Sequence, residues 1–325
     1  MKARAIRFDR TGGPEVLQYT TVDVGAPGAG EVLVRHSAVG VNFIDVYHRT
    51  GLYPAPLPCG LGLEAAGVVE AVGAGVDSVR VGDRVAYSSG PIGAYSECQC
   101  VSADRVVPLP AAIDAAQAAA MMLKGMTAEY LLLRTYRVAP GQTILFHAAA
   151  GGVGLIACQW AKHLGATVIG TVGSDEKAEL ARAHGCDHVI VYSRENTAAR
   201  VREITGGRGV PVVYDSVGRA TFQSSIESLE PRGMLVSFGN ASGPVEPFPL
   251  ALLTLNGSLY VTRPSLATYV ATREELLASA NALFDVVGSG AVRVEVRQRF
   301  PLAQAADAHR ALESRQTVGS IVLEP

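Results

Sequence analysis

Two rhythms divide the chain. Up to about residue 125, short runs rich in β-branched residues are cut repeatedly by Gly and Pro: "EVLVRHSAVGVN" (31–42), "AAGVVEAVGAGV" (65–76), "GDRVAYSS" (82–89) and "YSECQCVSADRVVPLP" (95–110). Such runs predict strands joined by tight turns. "YPAPLPCGLG" (53–62) carries too much proline for a central strand and predicts a loop near a cleft. "DAAQAAAMMLKGMTAEYLLL" (114–133) has helical composition, with Gly125 as the expected break.

From residue 143 the period changes. "TILFHAAA", "ATVIGTVG", "HVIVY", "VPVVYDSVG" and "MLVSFGN" are continuously apolar, and most are separated by helical stretches such as "LIACQWAKHLG" and "SDEKAELARAHG". Apolar strands alternating with helices predict a parallel sheet covered on both faces. "GSLYVTRPS" (257–265) predicts one more strand, and residues 272–325 predict two helices and a closing strand that returns to the first domain. The fold class expected is therefore α/β, a β-rich first domain beside a doubly wound parallel sheet.

Composition narrows the field only modestly. The 325 residues are 48% hydrophobic and 18% charged, with 35 glycines and a net charge of −2, which suits a globular chain of two domains. No long Lys/Arg run favours nucleic acid, and no apolar stretch has the length of a signal peptide or membrane span, so neither nucleic acid nor membrane is an expected partner. Five cysteines (Cys59, Cys98, Cys100, Cys158, Cys186) without a C-x-x-C predict reduced thiols and a cytoplasmic location.

The sharpest local signal is "TILFHAAAGGVGLIACQWAK" (143–162), a strand, a turn of small residues and a helix. A dinucleotide diphosphate needs that context: backbone N–H groups at a helix start, approached without side-chain obstruction. The fingerprint is Ala148-x-x-Gly151-x-x-Gly154, with alanine where the commonest form has glycine. The amides of Gly152 and Val153 are expected to face the diphosphate. The next strand ends in "VGSDEK", with Gly173 and Ser174 where an NAD site usually offers an acid. Ser174, Lys177 and Tyr192 supply donors for a 2′-phosphate, so the expected cofactor is NADPH. Asp175 and Glu176 argue against this unless they simply complement the helix dipole.

On "GQTILFHAAAGGVGLIACQWAK" (141–162), "GGPEVL" (12–17), "GVNFIDVYHRTGLYP" (40–54), "GLEAAGVVEAVGAGV" (62–76), "LKGMTA" (123–128), "VVYDSVG" (212–218) and "ESRQTVGSIVL" (313–323), the chain resembles the medium-chain dehydrogenase/reductases. Within them it is similar to the NADPH:quinone oxidoreductase, zeta-crystallin-like branch. The resemblance covers essentially the whole chain. It implies a GroES-like catalytic domain (1–124 and 265–325), a Rossmann NADPH-binding domain (125–264), a reaction in the cleft between them, and a homodimer formed through the nucleotide-binding sheets. The zinc alcohol dehydrogenases of the superfamily place metal ligands at Asn42, at Leu63 in "GLE", and in "MLKGMTA", where this chain has no such set; no metal is expected. His48, His147 and His163 are scattered and read as packing or surface residues.

Without a Lewis acid an alkoxide is poorly stabilised, whereas a quinone is an electron-poor acceptor whose reduced anion is delocalised over the ring. The expected activity is zinc-independent reduction of a small quinone by NADPH, through alignment of acceptor and coenzyme. The resemblance implies Asn42, Tyr47, Tyr53 and Lys124 as catalytic candidates. Cofactor contacts are expected from Asn42, Asp45, Thr127, Tyr130, Gly151, Gly152, Val153, Gly154, Gly173, Ser174, Lys177, Tyr192, Ser216, Val217, Phe238, Gly239, Asn240, Arg263, Ser265 and Arg315. Asn42 and Asp45 could equally be a local side-chain-to-backbone pair, and Arg315 a surface ion pair. An alternative function is reduction of the C=C bond of α,β-unsaturated aldehydes or ketones, with Tyr53 as proton donor. A minor one is a non-catalytic crystallin or RNA-binding role.

Overall fold

A computed structural model of the chain describes residues 1–314 and 317–325. It resolves into two compact units. The first comprises residues 1–124, 270–284 and 294–325, and the second residues 125–269 and 285–293.

The first unit is built on a seven-stranded sheet. Its centre is the long strand Glu31–Val41, which pairs antiparallel with Ala65–Val72, with Cys98–Ser102 and with Ser320–Glu324. Alternation of the side chains sends Val32 and Val34 to one core, and an irregularity in the ladder between His36 and Ala38 brings Val39 to the same side. There they meet Leu61, Val69, Val85, Leu302, Ile321 and Leu323, all fully buried. A strand absent from the sequence reading, Val296–Pro301, lies parallel to Ser320–Glu324 at the edge. Its burial alternates only between half-buried and exposed, so its hydrophobic signal is weak. A smaller sheet pairs Lys2–Phe8 with Gln18–Asp23 and with the two-residue strand Cys59–Gly60, inside the segment expected to be loop.

Two further corrections concern helices. Residues Phe43–Thr50 form a helix that the strand-and-turn reading missed. Its signal was the capping pattern N-x-x-D: the carboxylate of Asp45 accepts from the backbone N–H of Asn42 at 2.8 Å, and Gly51 closes the far end at φ 83°. The helix Ala115–Tyr130 runs through Gly125 without a break. A single glycine costs only about 1 kcal/mol in a helix, and complete burial of Met121, Met122 and Met126 around it outweighs that cost.

The second unit holds a six-stranded, wholly parallel sheet. Its order is His188–Val191, Thr167–Val172, Thr143–Phe146, Val210–Asp215, Leu229–Ser237, Tyr260–Thr262. The chain moves outward in one direction and then in the other, so the topological switch lies at the carboxyl end of Thr143–Phe146. Ligands of open α/β sheets bind at such a point. Leu145, Ile169, Ile190, Val213 and Leu235 form the fully buried layer beneath it.

Candidate functional site

At the switch point the chain leaves Phe146, turns through residues 147–151 and enters the helix Gly152–His163. Ala148 sits in the left-handed region at φ 54°, the conformation that explains why glycine is the commoner residue there. Its carbonyl accepts from the N–H of Gly151 at 2.9 Å. A Cβ on Gly154 would lie 2.4 Å from that same oxygen and 2.7 Å from the Ala149 backbone, so only glycine lets the helix pack against the turn. Gly151 stands at the N-cap and supplies no side-chain cap, leaving the half-exposed first amides of the helix to a ligand. An anionic diphosphate fits these residues.

A buried polar chain holds this turn to its neighbour across the sheet. Ser225 Oγ donates to Asp215 at 2.7 Å, so its contact with His147 Nε2 at 3.0 Å requires that nitrogen to be the donor. His147 Nδ1 then accepts from the Thr171 hydroxyl at 2.9 Å. Burial pushes the His147 pKa down, in keeping with a neutral ring. Asp215 also accepts from the N–H groups of Val217 and Gly218 at 2.8 and 3.0 Å, which fixes the half-exposed pair Ser216 and Val217. Gly239 is brought against them, since a Cβ there would meet the Ser216 carbonyl at 2.4 Å. Arg263 donates to the carbonyls of Ser237 and Gly239 at 3.2 and 2.9 Å, bracing the strand end that leads to half-buried Phe238 and Asn240.

At the end of the next strand Gly173 and Tyr192 meet: a Cβ on Gly173 would lie 2.8 Å from the Tyr192 hydroxyl. Ser174 caps the helix Asp175–Ala183, its Oγ accepting from the Lys177 N–H at 3.4 Å. Tyr130 is buried and stacks on Tyr269 with centroids 4.6 Å apart, near-parallel, and Thr127 is buried on the same helix. Ser265 is exposed, and Arg315 lies outside the described residues.

The first unit carries a second cluster. Glu64 has no exposed surface; its Oε2 accepts from Asn42 Nδ2 at 2.8 Å and from Lys124 Nζ at 3.2 Å, and its Oε1 from the Leu123 N–H at 2.7 Å. Gly40 makes room for it, because a Cβ would lie 2.2 Å from that Oε2. Asp45, one helical turn past Asn42, also accepts from the Tyr95 hydroxyl at 3.0 Å, while its Oδ1 is buried without a partner among the described residues. Burial pushes its carboxyl up to about 7. Tyr95 in turn lies 3.1 Å from His309 Nε2, and His309 Nδ1 faces Arg49, which pairs with Glu313. Because a guanidinium only donates, His309 is neutral, and burial beside that cation holds its pKa at about 3. Tyr47 and Tyr53 pack edge to face, centroids 5.2 Å apart.

Sequence reading singled out Asn42 and Lys124 separately and missed Glu64, which joins them. It also missed Arg194, whose guanidinium forks the Asp175 carboxylate at 2.5 and 2.6 Å. An acid at a position whose neighbours are all apolar or glycine was the available sign for Glu64. Among the described residues no group of three or more His, Cys, Asp or Glu side chains is placed to share a metal ion, and no helix is long and apolar enough to cross a membrane.

Two family descriptions match in tandem: an alcohol dehydrogenase GroES-like domain over residues 28–143 and a zinc-binding dehydrogenase over 152–277. Together they define the architecture of a medium-chain dehydrogenase/reductase. The chain is 57% identical to a quinone oxidoreductase of Pseudomonas aeruginosa over 99% of its length and all of that relative. It superposes on the Escherichia coli quinone oxidoreductase complexed with NADPH with a TM-score of 0.98, at 53% identity, covering 99% of this chain and all of that one. It is also 49% identical to a 2-haloacrylate reductase of a Burkholderia species, over 97% of each. The chain belongs to the quinone oxidoreductase family of the medium-chain dehydrogenase/reductases, and it is an oxidoreductase.

Proposed function

We propose that this protein reduces small quinones with NADPH and does so without zinc. The observation that carries the reading is the Glu64 cluster. Zinc alcohol dehydrogenases of the superfamily hold their metal at the positions of Asn42, Leu63 and a residue of the "MLKGMTA" segment. Here Leu63 offers only carbon, while Asn42 and Lys124 are committed to one carboxylate oxygen. An ammonium thus neutralises the charge that would otherwise attract a metal ion. Its remaining N–H groups are donors suited to an oxygen that gains negative charge on a reduced acceptor.

The coenzyme reading rests on the glycine turn, on Ser174, Lys177 and Tyr192 around the end of Thr167–Val172, and on the NADPH bound by the Escherichia coli relative. When bound, NADPH supplies the hydride. The protein's part is to hold the diphosphate on the amides of Gly152 and Val153, to receive the 2′-phosphate beside Gly173, and to present Asn42, Tyr47, Tyr53 and Lys124 to the acceptor. Asp45, Thr127, Tyr130, Ser216, Val217, Phe238, Gly239, Asn240, Arg263, Ser265 and Arg315 complete the proposed coenzyme contacts.

A second reading is supported by the 2-haloacrylate reductase relative: reduction of an activated C=C bond with the same coenzyme. Following NADPH oxidation against a para-quinone, an alkenal and a 2-haloacrylate separates the two. A rate with the quinone at least about tenfold above the others supports the first; the reverse ranking overturns it.

The protein is further proposed to work in the cytoplasm as a homodimer joined through its parallel sheets. Tyr260–Thr262 is an edge strand, and Tyr260, Leu250 and Leu255 are 59, 77 and 83% exposed around it. Unpaired edges with apolar side chains invite a second copy. Light scattering after gel filtration tests this, and a monomer at micromolar concentration would refute it.

A further inference from the structure

The glycine at the end of Thr167–Val172 is followed by Ser174 and then by two acids, Asp175 and Glu176. Asp175 is the residue next to the serine proposed to receive the 2′-phosphate and two before Lys177. That phosphate carries a charge of about −1.5 to −2, so an unshielded carboxylate in this place opposes it.

The carboxylate is not unshielded. Arg194 Nη1 and Nη2 each donate to one oxygen of Asp175, at 2.6 and 2.5 Å, in a two-point fork. Arg194 holds the carboxyl of Asp175 below its ordinary range, as expected of an ionised partner. The arginine arrives there because of its own loop: Tyr192, two residues earlier, fills the space beside Gly173, and the hydroxyl of Ser193 donates to the Gly173 carbonyl at 3.3 Å. The segment 192–194 is thus tied to residues 173–175 by three successive side chains. Both members of the ion pair are largely exposed, at 57 and 71%. Exposed pairs contribute little to stability, so a fork held this far out in solvent has little folding purpose.

We infer that Arg194 is a specificity-determining residue for the coenzyme: it cancels the charge of Asp175 and so allows a 2′-phosphate to settle beside Ser174, Lys177 and Tyr192. This rests on the NADPH reading above. It assigns the preference to a charge pair facing the phosphate as well as to direct donors, and it makes Asp175 harmful only when Arg194 is lost.

The test uses the full chain, with coenzyme binding followed by the fluorescence of NADPH and NADH. Arg194→Ala is expected to weaken NADPH about tenfold while NADH stays within about twofold. Adding Asp175→Ala to that variant is expected to bring NADPH back to within about threefold of the parent protein. Asp175→Ala alone should bind NADPH at least as well as the parent. Since neither side chain is buried, all variants should keep the parent melting temperature within a degree or two. The inference is overturned if Arg194→Ala leaves NADPH binding unchanged, if NADH weakens in step, or if the double variant stays as weak as the single one. Equal affinity of the unaltered protein for the two coenzymes would overturn the NADPH preference itself, before any variant is made.

Discussion

Asn42 and Lys124 meet on a single atom, Oε2 of the buried Glu64, at 2.8 and 3.2 Å. An ionised carboxylate can only accept, which orients the Asn42 amide with its nitrogen inward and leaves its Oδ1 as an acceptor. One side chain therefore sets the geometry of two proposed reaction partners.

Glu64→Gln tests that dependence. It leaves the Lys124 ammonium buried without its counter-charge, a change that costs about 3–5 kcal/mol in comparable buried pairs. The expected result is a melting temperature lowered by several degrees and a fall in kcat larger than any change in the KM for NADPH. Combining it with Lys124→Met should recover most of the thermal stability, since both charges are then gone, but none of the turnover.

Lys177→Ala addresses the proposed phosphate contact. One charge-assisted hydrogen bond contributes about 1.5–3 kcal/mol, so the dissociation constant for NADPH should rise about ten- to a hundredfold. Binding of NADH should hardly change. Parallel weakening of both coenzymes in equilibrium titrations would show that the lysine acts elsewhere.

Asp45 and His309 predict opposite pH effects on stability. The raised pKa of Asp45, about 7 against an ordinary 3.8, means that the fold binds its proton more tightly than the unfolded chain does. Its contribution is whole below about pH 4 and is lost as pH rises to about 7, at no more than about 1.4 kcal/mol per unit. His309, held at about 3 from an ordinary 6.5, contributes stability that is present above about pH 6.5 and lost as pH falls towards 3. The two slopes oppose each other between about pH 4 and 6.5. Removing the falling contribution of Asp45 leaves the rising one of His309 uncancelled, so the stability of Asp45→Asn should rise more steeply, or fall less, than that of the parent between about pH 5 and 7. Identical slopes in melting experiments across that range would count against a protonated Asp45.

Gly154→Ala places a methyl group 2.4 Å from the Ala148 carbonyl. No side chain can yield there, because the obstruction is backbone. The variant should lose at least about 2 kcal/mol of stability together with measurable NADPH binding. Ala148→Gly, which relieves a left-handed alanine, should instead be neutral or stabilising by up to about 1 kcal/mol.

Metal content gives an independent check. Elemental analysis of the purified protein should find no stoichiometric zinc, and prolonged treatment with a chelator should leave quinone reduction unchanged. One zinc per chain, lost together with activity, would overturn the proposed chemistry.

The parallel sheet was legible because its strands are apolar throughout and its helices are not, a contrast that survives without any tertiary information. The glycine turn was equally plain, since Gly151 and Gly154 act through backbone geometry that sequence spacing preserves. The helix Phe43–Thr50 was hidden inside a run of aromatic and β-branched residues, and only its Asn42–Asp45 cap betrayed it. The strand Val296–Pro301 carries three polar residues in succession, Arg297, Gln298 and Arg299, and ends in proline, so no alternation marked it. Glu64, Arg194 and the Tyr95–His309 contact escaped for a shared reason: each acquires meaning only from a partner far along the chain. Local period carries no such information.

The link from Arg49 to His309 spans 260 residues, and the strand Ser320–Glu324 lies against Glu31–Val41 across a still longer interval. During synthesis, the polypeptide that surrounds Asp45 must wait, half-built, while the whole six-stranded sheet between emerges. The ribosome thus delivers every strand of that parallel sheet while Arg49 and the strand Glu31–Val41 still lack the partners that only the last residues bring, so a chain stalled before residue 309 leaves the first unit's core open.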